Sequence, residues 1–161
     1  MVTLLENQDE KEQVCREVLQ ALPDWFGNPE SLEEYARNCR ELPLWAEQEE
    51  GLVKGFIAYK PTSPYAGEIH VMGVRPGFHR QGLGKRLFQA LQAYAQEQGC
   101  RFLTVKTVAM GRYPDYDKTN LFYQSLGFQE LECFPELWDP ANPCQVYIMA
   151  VGGPTGYEVI E

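Results

Sequence analysis

One stretch near the middle of this 161-residue chain restricts its fold more than any other. A β-prone run from Glu68 to Val74 ends at Pro76-Gly77, and a loop containing Gly82-Leu83-Gly84 opens directly into an amphipathic helix that continues to about Gln98. An uninterrupted β-prone run, Phe102 to Val108, follows and predicts a strand buried on both faces. With a strand on each side of the long helix, a right-handed parallel crossover is the default connection.

The remaining elements fit around this crossover. The patterns predict helices from about Asn7 to Leu22 and from Asn28 to Cys39, a short helix capped by Asp117 and ending at Leu126, and strands over Leu42–Gln48, Leu52–Tyr59, Phe128–Phe134 and Gln145–Val151, the last two flanking a proline-rich loop. Globular domains usually hold about 100–200 residues. We therefore predict a single α+β (α/β) domain over residues 1–151 with a mixed sheet, and a mobile tail over residues 152–161.

The glycine loop also predicts a binding site. The first-turn N–H groups of a helix have no partner inside the helix, and with the helix dipole they favour an anion such as a diphosphate. Glycine lets the backbone approach that anion closely. Four bases fall within 12 residues of this point, namely Arg75, Arg80, Lys85 and Arg86. A dinucleotide fingerprint would need glycine at Leu87, and a Walker loop would need Ser or Thr at Arg86, so both nucleotide motifs are absent.

The charge distribution limits the classes of partner that the protein can bind. Asp and Glu number 23 against 14 Lys and Arg, and the first 50 residues hold 13 of the acids with only 4 bases, so that segment alone carries 4 − 13 = −9. Phosphate backbones and anionic membranes attract clustered Lys and Arg, so nucleic acid and membrane surfaces are poor partners. The acids fit either solubilising helix faces or attraction for a cationic amine.

The five cysteines are odd in number, widely spaced and never arranged as C-x-x-C. This pattern argues against a disulfide framework and a zinc knuckle, and the two histidines have no cysteine pair nearby to complete a metal site. Acidic residues near the start exclude a signal peptide, and no apolar run approaches the ~20 residues of a membrane span. We expect a cytoplasmic protein without a metal.

Two separated motifs resemble the GNAT superfamily of acetyl-CoA-dependent N-acetyltransferases. Val74-Arg75-Pro76 with Gly82-Leu83-Gly84 fits its strand–loop–helix signature, and Phe122 to Phe128 resembles its F-Y-x-x-x-G-F motif. His79 departs from the signature, which has Gln or Arg at that position. The resemblance implies a mixed, mostly antiparallel central sheet with a V-shaped splay, flanked by about four helices. It also implies acetyl-CoA as co-substrate and an amine as acceptor.

The resemblance carries roles to individual positions. Backbone groups of the strand before the loop would pair with the pantetheine arm of the coenzyme, and the loop and first helical turn would line its pyrophosphate. Tyr123 would protonate the departing thiolate, which leaves poorly without a proton; its alternative is a helix aromatic packed on the core. The implied coenzyme-binding residues are Met72, Gly73, Val74, Arg80, Gln81, Gly82, Leu83, Gly84 and Lys85.

The base that removes a proton from the amine is less determined. In members that resemble histone acetyltransferases a glutamate stands six residues before the signature valine, and Glu68 has that position here. His70 projects from the same strand face at period two and is the second candidate, and a water chain is the third. An ordinary strand-end carboxylate is the alternative for Glu68. Asn120 lies near Tyr123 but out of the family's register, so no role is transferred to it.

The acceptor pocket is predicted only in outline. The regions that grip the substrate in such folds hold aromatic residues beside acids, which suits a cationic amine but also fits ordinary core packing. Those residues are Trp25, Phe26, Tyr65, Tyr113, Tyr116 and Trp138 with Glu30, Glu33 and Glu34. We expect an N-acetyltransferase that acts on an amine of a small molecule or peptide by direct transfer in a ternary complex. The alternatives are a non-catalytic acyl-CoA-binding module and, against the acidic charge, an enzyme acting on charged tRNA; a homodimer remains open.

Overall fold

The computed structural model describes residues 1–152. The predicted tail, apart from Gly152, therefore lies outside the described residues. Seven strands and four α-helices follow each other as β1 (Val2–Leu5), α1 (Gln8–Gln20), α2 (Pro29–Cys39), β2 (Leu44–Glu49), β3 (Leu52–Pro61), β4 (Ala66–Val74), α3 (Leu83–Glu97), β5 (Phe102–Val108), α4 (Pro114–Leu126), β6 (Gln129–Asp139) and β7 (Asn142–Ala150).

All seven strands belong to one sheet with the order β1-β2-β3-β4-β5-β7-β6. Every neighbouring pair is antiparallel except β4 and β5, which are parallel and joined through α3. This confirms the predicted mixed, mostly antiparallel sheet with four helices around it. The strand β1 was absent from the sequence prediction, because four residues are too few to show a period.

The sheet opens between β4 and β5. Their pairing joins Ala66 to Phe102, Gly67 to Leu103 and Glu68 to Thr104, and within the described residues the ladder ends there. The rest of β4, from Ile69 to Val74, pairs only with β3 on its other side. The two strands therefore form the predicted V-shaped splay, which leaves one backbone edge of β4 free for a ligand.

Two hydrophobic clusters cover the two faces of the sheet. One packs α1 and α2 against β2, β3 and β4, with Val18, Leu19 and Phe56 fully buried, and the other packs α3 against the opposite face through Leu87 and Leu91. Fully burying such side chains contributes about 1.5–3 kcal/mol each relative to exposure. Both helices on the first face are capped by asparagine, since the side chains of Asn7 and Asn28 accept from first-turn N–H groups.

Glycine at position 73 lets α1 lie close to β4. A Cβ atom there would stand 2.9 Å from Leu22 Cδ1 and 3.0 Å from Val18 Cγ1. Real Cβ contacts are longer, so any side chain at this position would push the helix away from the strand. Gly73 thus serves helix packing on one face, while its strand borders the splay.

Three sequence predictions are wrong in detail. Asp117 does not cap α4, which begins at Pro114, because proline suits the first helical position; the carboxylate of Asp117 instead accepts from the backbone N–H of Gly111 at 2.8 Å. The strand β5 is not buried on both faces, since Lys106 is exposed and Phe102, at the end that pairs with β4, is 44% exposed. The strand predicted to end at Phe134 continues to Asp139 as the edge strand β6, through part of the predicted proline-rich loop, because an edge strand tolerates proline.

Within residues 1–152, none of the helices combines the length and apolar character needed to cross a bilayer. The five cysteines, all in that range, are free thiols, four of them buried.

Candidate active site

A cavity of about 720 Å³ occupies the splay. Its walls come from β4 and the loop after it, the start of α3, the far half of β5, α4, and the segment between α1 and α2. Small-molecule sites usually measure about 300–1,000 Å³. The opening of the sheet therefore creates a site of suitable size at the place where the sequence motifs meet.

One end of the cavity is built from the glycine loop. Gly82 has a φ of +75°, a left-handed conformation that side chains rarely adopt, and α3 begins at the next residue. Arg80 is also left-handed, with a φ of +63°, which costs about 1–3 kcal/mol in a residue other than glycine. Backbone strain of this kind is concentrated at binding sites. The loop thus turns the N–H groups of the first turn of α3 towards the cavity.

Gly84 has a different purpose. A Cβ atom at this position would lie 2.9 Å from Cζ of Phe122, so the missing side chain lets α3 approach α4. The two glycines of the motif therefore do separate work: Gly82 allows the turn and Gly84 allows the packing of the two helices that border the cavity.

Only half of the predicted basic cluster faces the cavity. Arg80 and Lys85 line it, whereas Arg75 donates from Nε to the carbonyl oxygen of Val53 at 2.6 Å. Arg86 donates to the carbonyl of Gln81 at 3.0 Å and pairs with Glu47 at 3.3 Å. Arg75 and Arg86 therefore fasten the loop to the sheet. Gln81 itself lies outside the lining, and Leu83 lies inside it.

The edge of β4 forms the middle of the cavity. Met72, Gly73 and Val74 pair with β3 on one side and line the cavity. The carbonyl oxygen of Val74 accepts a hydrogen bond from Nε2 of His79 at 2.6 Å. The same imidazole lies edge-on to Trp25, with 6.2 Å between the ring centroids. The residue that departs from the family signature therefore ties the loop to the end of β4 and to the opposite wall.

Tyr123 reaches the cavity from α4. Its side chain is 6% exposed and packs beside Phe128 and Tyr147, at centroid distances of 5.9 and 6.3 Å. Burial raises the pKa of Tyr123 well above its usual range, so the hydroxyl keeps its proton at neutral pH. The site thus contains a phenol that can donate a proton, which is the state an acid needs.

Asn120 holds the helix that carries Tyr123. Its fully buried amide donates to the carbonyl oxygens of Val108 at 2.8 Å and Tyr116 at 2.7 Å, and its carbonyl accepts from the Tyr147 hydroxyl at 2.7 Å. These bonds join α4 to β5 and β7 at the open end of the splay. Sequence reasoning set this residue aside because only the tertiary structure brings its partners together; its signal is an asparagine among the apolar positions of a helix.

The two candidate bases have different surroundings. Glu68 forms an ion pair with Lys106, with 3.1 Å between Oε2 and Nζ, and is not part of the cavity lining. His70 is part of the lining, and its Nε2 atom is buried without a hydrogen-bond partner in the described part of the chain. An unpartnered buried nitrogen costs about 1–3 kcal/mol, so its persistence suggests a functional role.

The charge state of His70 follows from its neighbours. Burial lowers its pKa below the usual 6.5, and the positive charges of Lys60 and Lys106 lower it further. Glu68 and Glu34 act in the opposite direction without reversing the shift. The imidazole is therefore neutral at pH 7 and can accept a proton.

One wall of the cavity is aromatic. Trp25, Phe26, Tyr116 and Trp138 line it as the sequence suggests, and Tyr35, which the sequence analysis did not single out, lies 5.4 Å from His70 between ring centroids. Tyr65 and Tyr113 are outside the lining. The three predicted glutamates are outside as well: Glu30, Glu33 and Glu34 border a separate surface depression with Pro29 and Arg37.

Two hydrogen bonds fix the aromatic wall. The Tyr116 hydroxyl donates to the carbonyl oxygen of Trp25 at 2.7 Å, and the indole Nε1 of Trp25 donates to Thr119 Oγ1 at 3.1 Å. Burial raises the pKa of Tyr116 to about 12, so this donor stays protonated. The segment between α1 and α2 is thereby attached to the start of α4.

The arrangement fits a long ligand with an anionic end. A helix N-terminus and two cations suit a diphosphate, the free edge of β4 suits an amide-bearing arm, and Tyr123 and His70 stand farther along the same cavity. Residues 1–152 contain no group of three or more His, Cys, Asp or Glu side chains that could hold a metal ion. The chemistry available here is proton transfer and hydrogen bonding.

Comparisons with known proteins identify the family of the chain. Residues 40–130 match the family model described as an acetyltransferase (GNAT) domain. The chain is 34% identical over 70 residues to N-alpha-acetyltransferase RimI of Mycobacterium tuberculosis, an alignment that covers 44% of this chain and 39% of the relative. A second alignment, 30% identical over 88 residues, covers 55% of this chain and 22% of the uncharacterized protein ML0378 of Mycobacterium leprae. The chain thus spans less than half the length of both relatives.

Solved structures share the fold over nearly the whole chain. An aminoglycoside 6'-N-acetyltransferase complexed with coenzyme A superposes with a TM-score of 0.78 at 14% identity, covering 97% of this chain and 99% of that one. The ribosomal-protein-S18-alanine N-acetyltransferase from Escherichia coli superposes with a TM-score of 0.73 at 19% identity, covering 98% and 99%. At these identities the likeness shows the fold alone.

Proposed function

This chain belongs to the GNAT acetyltransferase family, and we propose that it moves the acetyl group of acetyl-CoA to a primary amine by direct transfer in a ternary complex. One observation carries the proposal: in the described residues a single cavity is lined by the N-terminus of α3, by the buried phenol of Tyr123 and by the imidazole of His70. These groups suit the diphosphate of the coenzyme, the departing thiolate and the attacking amine, respectively.

The coenzyme end has a defined set of residues. The N–H groups at Leu83, Gly84 and Lys85 with the side chains of Arg80 and Lys85 hold the diphosphate, and the turn at Gly82 aims them. Gln81 contributes through its carbonyl oxygen, which holds Arg86 against the loop. The backbone of Met72, Gly73 and Val74 pairs with the pantetheine arm. Acetyl-CoA supplies the acetyl group as a thioester, whose leaving group is a thiolate.

Tyr123 is the proposed general acid. As the C–N bond forms and the C–S bond breaks, its hydroxyl proton passes to the sulfur. Positioned acids of this kind typically accelerate a reaction about 10²–10⁴-fold. Burial supports the role, because it keeps the phenol protonated until charge develops beside it.

His70 is the proposed base, with Glu68 behind it. The amine must lose a proton to attack, and the neutral imidazole at the cavity wall accepts that proton. The carboxylate of Glu68 favours the imidazolium that forms, since its charge raises the pKa of His70. Glu68 therefore acts on the charge state of His70, whereas His70 itself contacts the amine. After product release the proton on His70 goes to solvent and Tyr123 regains one.

The cysteines support direct transfer. None of the five belongs to the cavity lining in the described residues, and burial raises the pKa of Cys144 to about 11, which disfavours a thiolate nucleophile. The acetyl group accordingly passes to the amine without resting on the protein.

A thermal-shift titration with acetyl-CoA, CoA and ATP tests the first half of the proposal. Ligands that bind the native state raise the melting temperature by mass action, so both CoA species should do so and ATP should not. An amine panel followed by thiol release then tests transfer. A melting shift without turnover of any amine would leave only a coenzyme-binding module, and no shift at millimolar CoA would overturn the proposed site.

A further inference from the structure

The acceptor end of the cavity is a continuous aromatic wall. Phe26 and Tyr35 meet edge-on at 5.9 Å between centroids, and Tyr35 meets His70 at 5.4 Å. Trp25 and Tyr116 extend the wall, with the backbone carbonyl of Trp25 bonded to the Tyr116 hydroxyl. Rings of this kind prefer offset or edge-to-face partners, and a flat apolar group inserted among them gains both buried area and ring contacts.

Acidic groups are missing from this wall. No Asp or Glu belongs to the cavity lining in residues 1–152, although the protein carries 23 of them. Glu68, on the same face of β4 as His70 but outside the lining, is already paired with Lys106 at 3.1 Å. Glu33, on α2, is held by Arg16 at 2.9 Å outside the cavity. A cationic acceptor with several ammonium groups would therefore find no counter-charge in the lining.

Positive charge faces the same space. Lys118 lines the cavity beyond the two cations of the coenzyme end, and Lys106 lines it as well, although its charge is paired with Glu68. Nearby cations disfavour an ammonium and favour the neutral amine, which is the nucleophilic form. The cavity thus repels polycations and at the same time helps a single amine to lose its proton to His70.

We propose that the acceptor is a single primary amine carried on a flat apolar group such as an aromatic ring. The ring lies against Phe26, Tyr35 and Trp25, and the amine points to the imidazole of His70, which lines the same cavity. This inference rests on the proposed acetyl transfer. It replaces the cationic acceptor suggested by the acidic sequence, because those acids lie on other surfaces.

Binding and turnover are measured separately in the test. Titration calorimetry on protein saturated with CoA, in which no transfer is possible, compares 2-phenylethylamine, n-propylamine, spermidine and a short peptide with a free N-terminal alanine. Thiol release with acetyl-CoA compares the same four amines. We expect 2-phenylethylamine to exceed each of the others by about tenfold or more in affinity and in kcat/KM, the factor expected when a ring leaves water for an apolar wall.

A matched pair of variants locates the ring. Tyr35→Ala should raise the KM for 2-phenylethylamine about tenfold with unchanged acetyl-CoA affinity, and Tyr35→Leu, which keeps apolar bulk, should recover part of the loss. Phe102→Ala removes an exposed aromatic outside the lining and should leave KM unchanged. Melting temperatures of all three identify any variant that fails to fold.

The outcomes separate this inference from the function on which it rests. Tightest binding of 2-phenylethylamine without acetylation would refute the transfer and support the acceptor site. Tighter binding of spermidine or of the peptide would overturn the acceptor class while leaving transfer intact. Binding of none of the four amines to the CoA complex would also overturn the acceptor class.

Discussion

At one end of the cavity six consecutive residues, from Arg80 to Lys85, supply or support the anion-binding groups, whereas the walls at the other end come from positions as far apart as Trp25 and Trp138. The first end depends on backbone N–H groups and one turn. The second depends on side chains that five elements bring together. A site built from consecutive backbone groups can be predicted from a sequence motif. A site built from distant side chains can be identified only from the folded structure.

If the two ends are independent, changes at their junction should alter the rate without altering either affinity. Tyr123→Phe removes the proposed acid and should lower kcat by about 10²–10⁴-fold with acetyl-CoA and amine affinities unchanged. Steady-state kinetics with calorimetry on the same variant measures both. Tyr94→Phe, a hydroxyl deletion outside the cavity, is the control, and full turnover by Tyr123→Phe would remove the residue as the acid.

A change in the loop should affect only the coenzyme. Gly82→Val places a branched side chain at a φ of +75° where the diphosphate approaches, and we expect acetyl-CoA affinity to fall by about 100-fold, or nearly 3 kcal/mol. Gly99→Val introduces comparable strain at a φ of +81° outside the cavity lining, with open space around it. Equal loss of acetyl-CoA affinity in both variants would mean that strain, and not the site, explains the effect.

A change at the acceptor end should alter the pH profile. Burial lowers the pKa of His70 below 6.5, and a base works only when it is unprotonated, so kcat/KM should fall as pH drops below 6.5 towards that lowered pKa. In His70→Gln we expect kcat to fall roughly 10–100-fold and this acidic limb to disappear. Glu68→Gln should keep the limb at lower pH, because a negative charge that raises the pKa has been removed; loss of the limb in Glu68→Gln alone would make Glu68 the base.

The smallest effect is expected for the buried hydrogen bonds of Asn120, which hold α4 in place. Asn120→Ala removes three hydrogen bonds, those to the Tyr147 hydroxyl and to the carbonyl oxygens of Val108 and Tyr116, and should lower the free energy of unfolding by about 1–3 kcal/mol. Chemical denaturation measures this change. Asn38→Ala, an exposed position on α2, should change stability by less than about 0.5 kcal/mol. An equal loss in both variants would argue against the buried network.

The sequence predicted the elements well where one physical signal dominates. The helix start at Asn28, the glycine turn and the strand from Phe102 to Val108 each depend on a few residues, and the fold confirms them. The edge strand from Gln129 to Asp139 was shortened in the prediction, because its residues are all exposed and show no buried period. Such a segment forms a strand because its backbone pairs with the neighbouring strand β7, and this contact cannot be read from the local sequence.

The site divides in the same way. Gly82, Leu83 and Lys85 face the cavity as the motif predicts, whereas Arg75 and Arg86, equally basic and equally near in sequence, turn to the sheet. The spacing of the basic residues in the sequence cannot show which of them face the cavity. Arg75 and Arg86 turn away from it because the carbonyl oxygen of Val53 and the carboxylate of Glu47 accept their hydrogen bonds. Tyr35 was missed for a related reason: it becomes part of the site only through the fold of α2 over β4.

The three residue pairs between β4 and β5 have a consequence for the coenzyme itself. They are the only hydrogen-bonded seam between the first four strands and the last three in the described chain. On the function proposed above, the pantetheine arm bonds along the free edge of β4 and takes the place of a strand. The coenzyme then pairs with the sheet as an eighth strand that can dissociate. The protection of the β4 edge amides against hydrogen exchange would therefore report the fraction of protein with coenzyme bound.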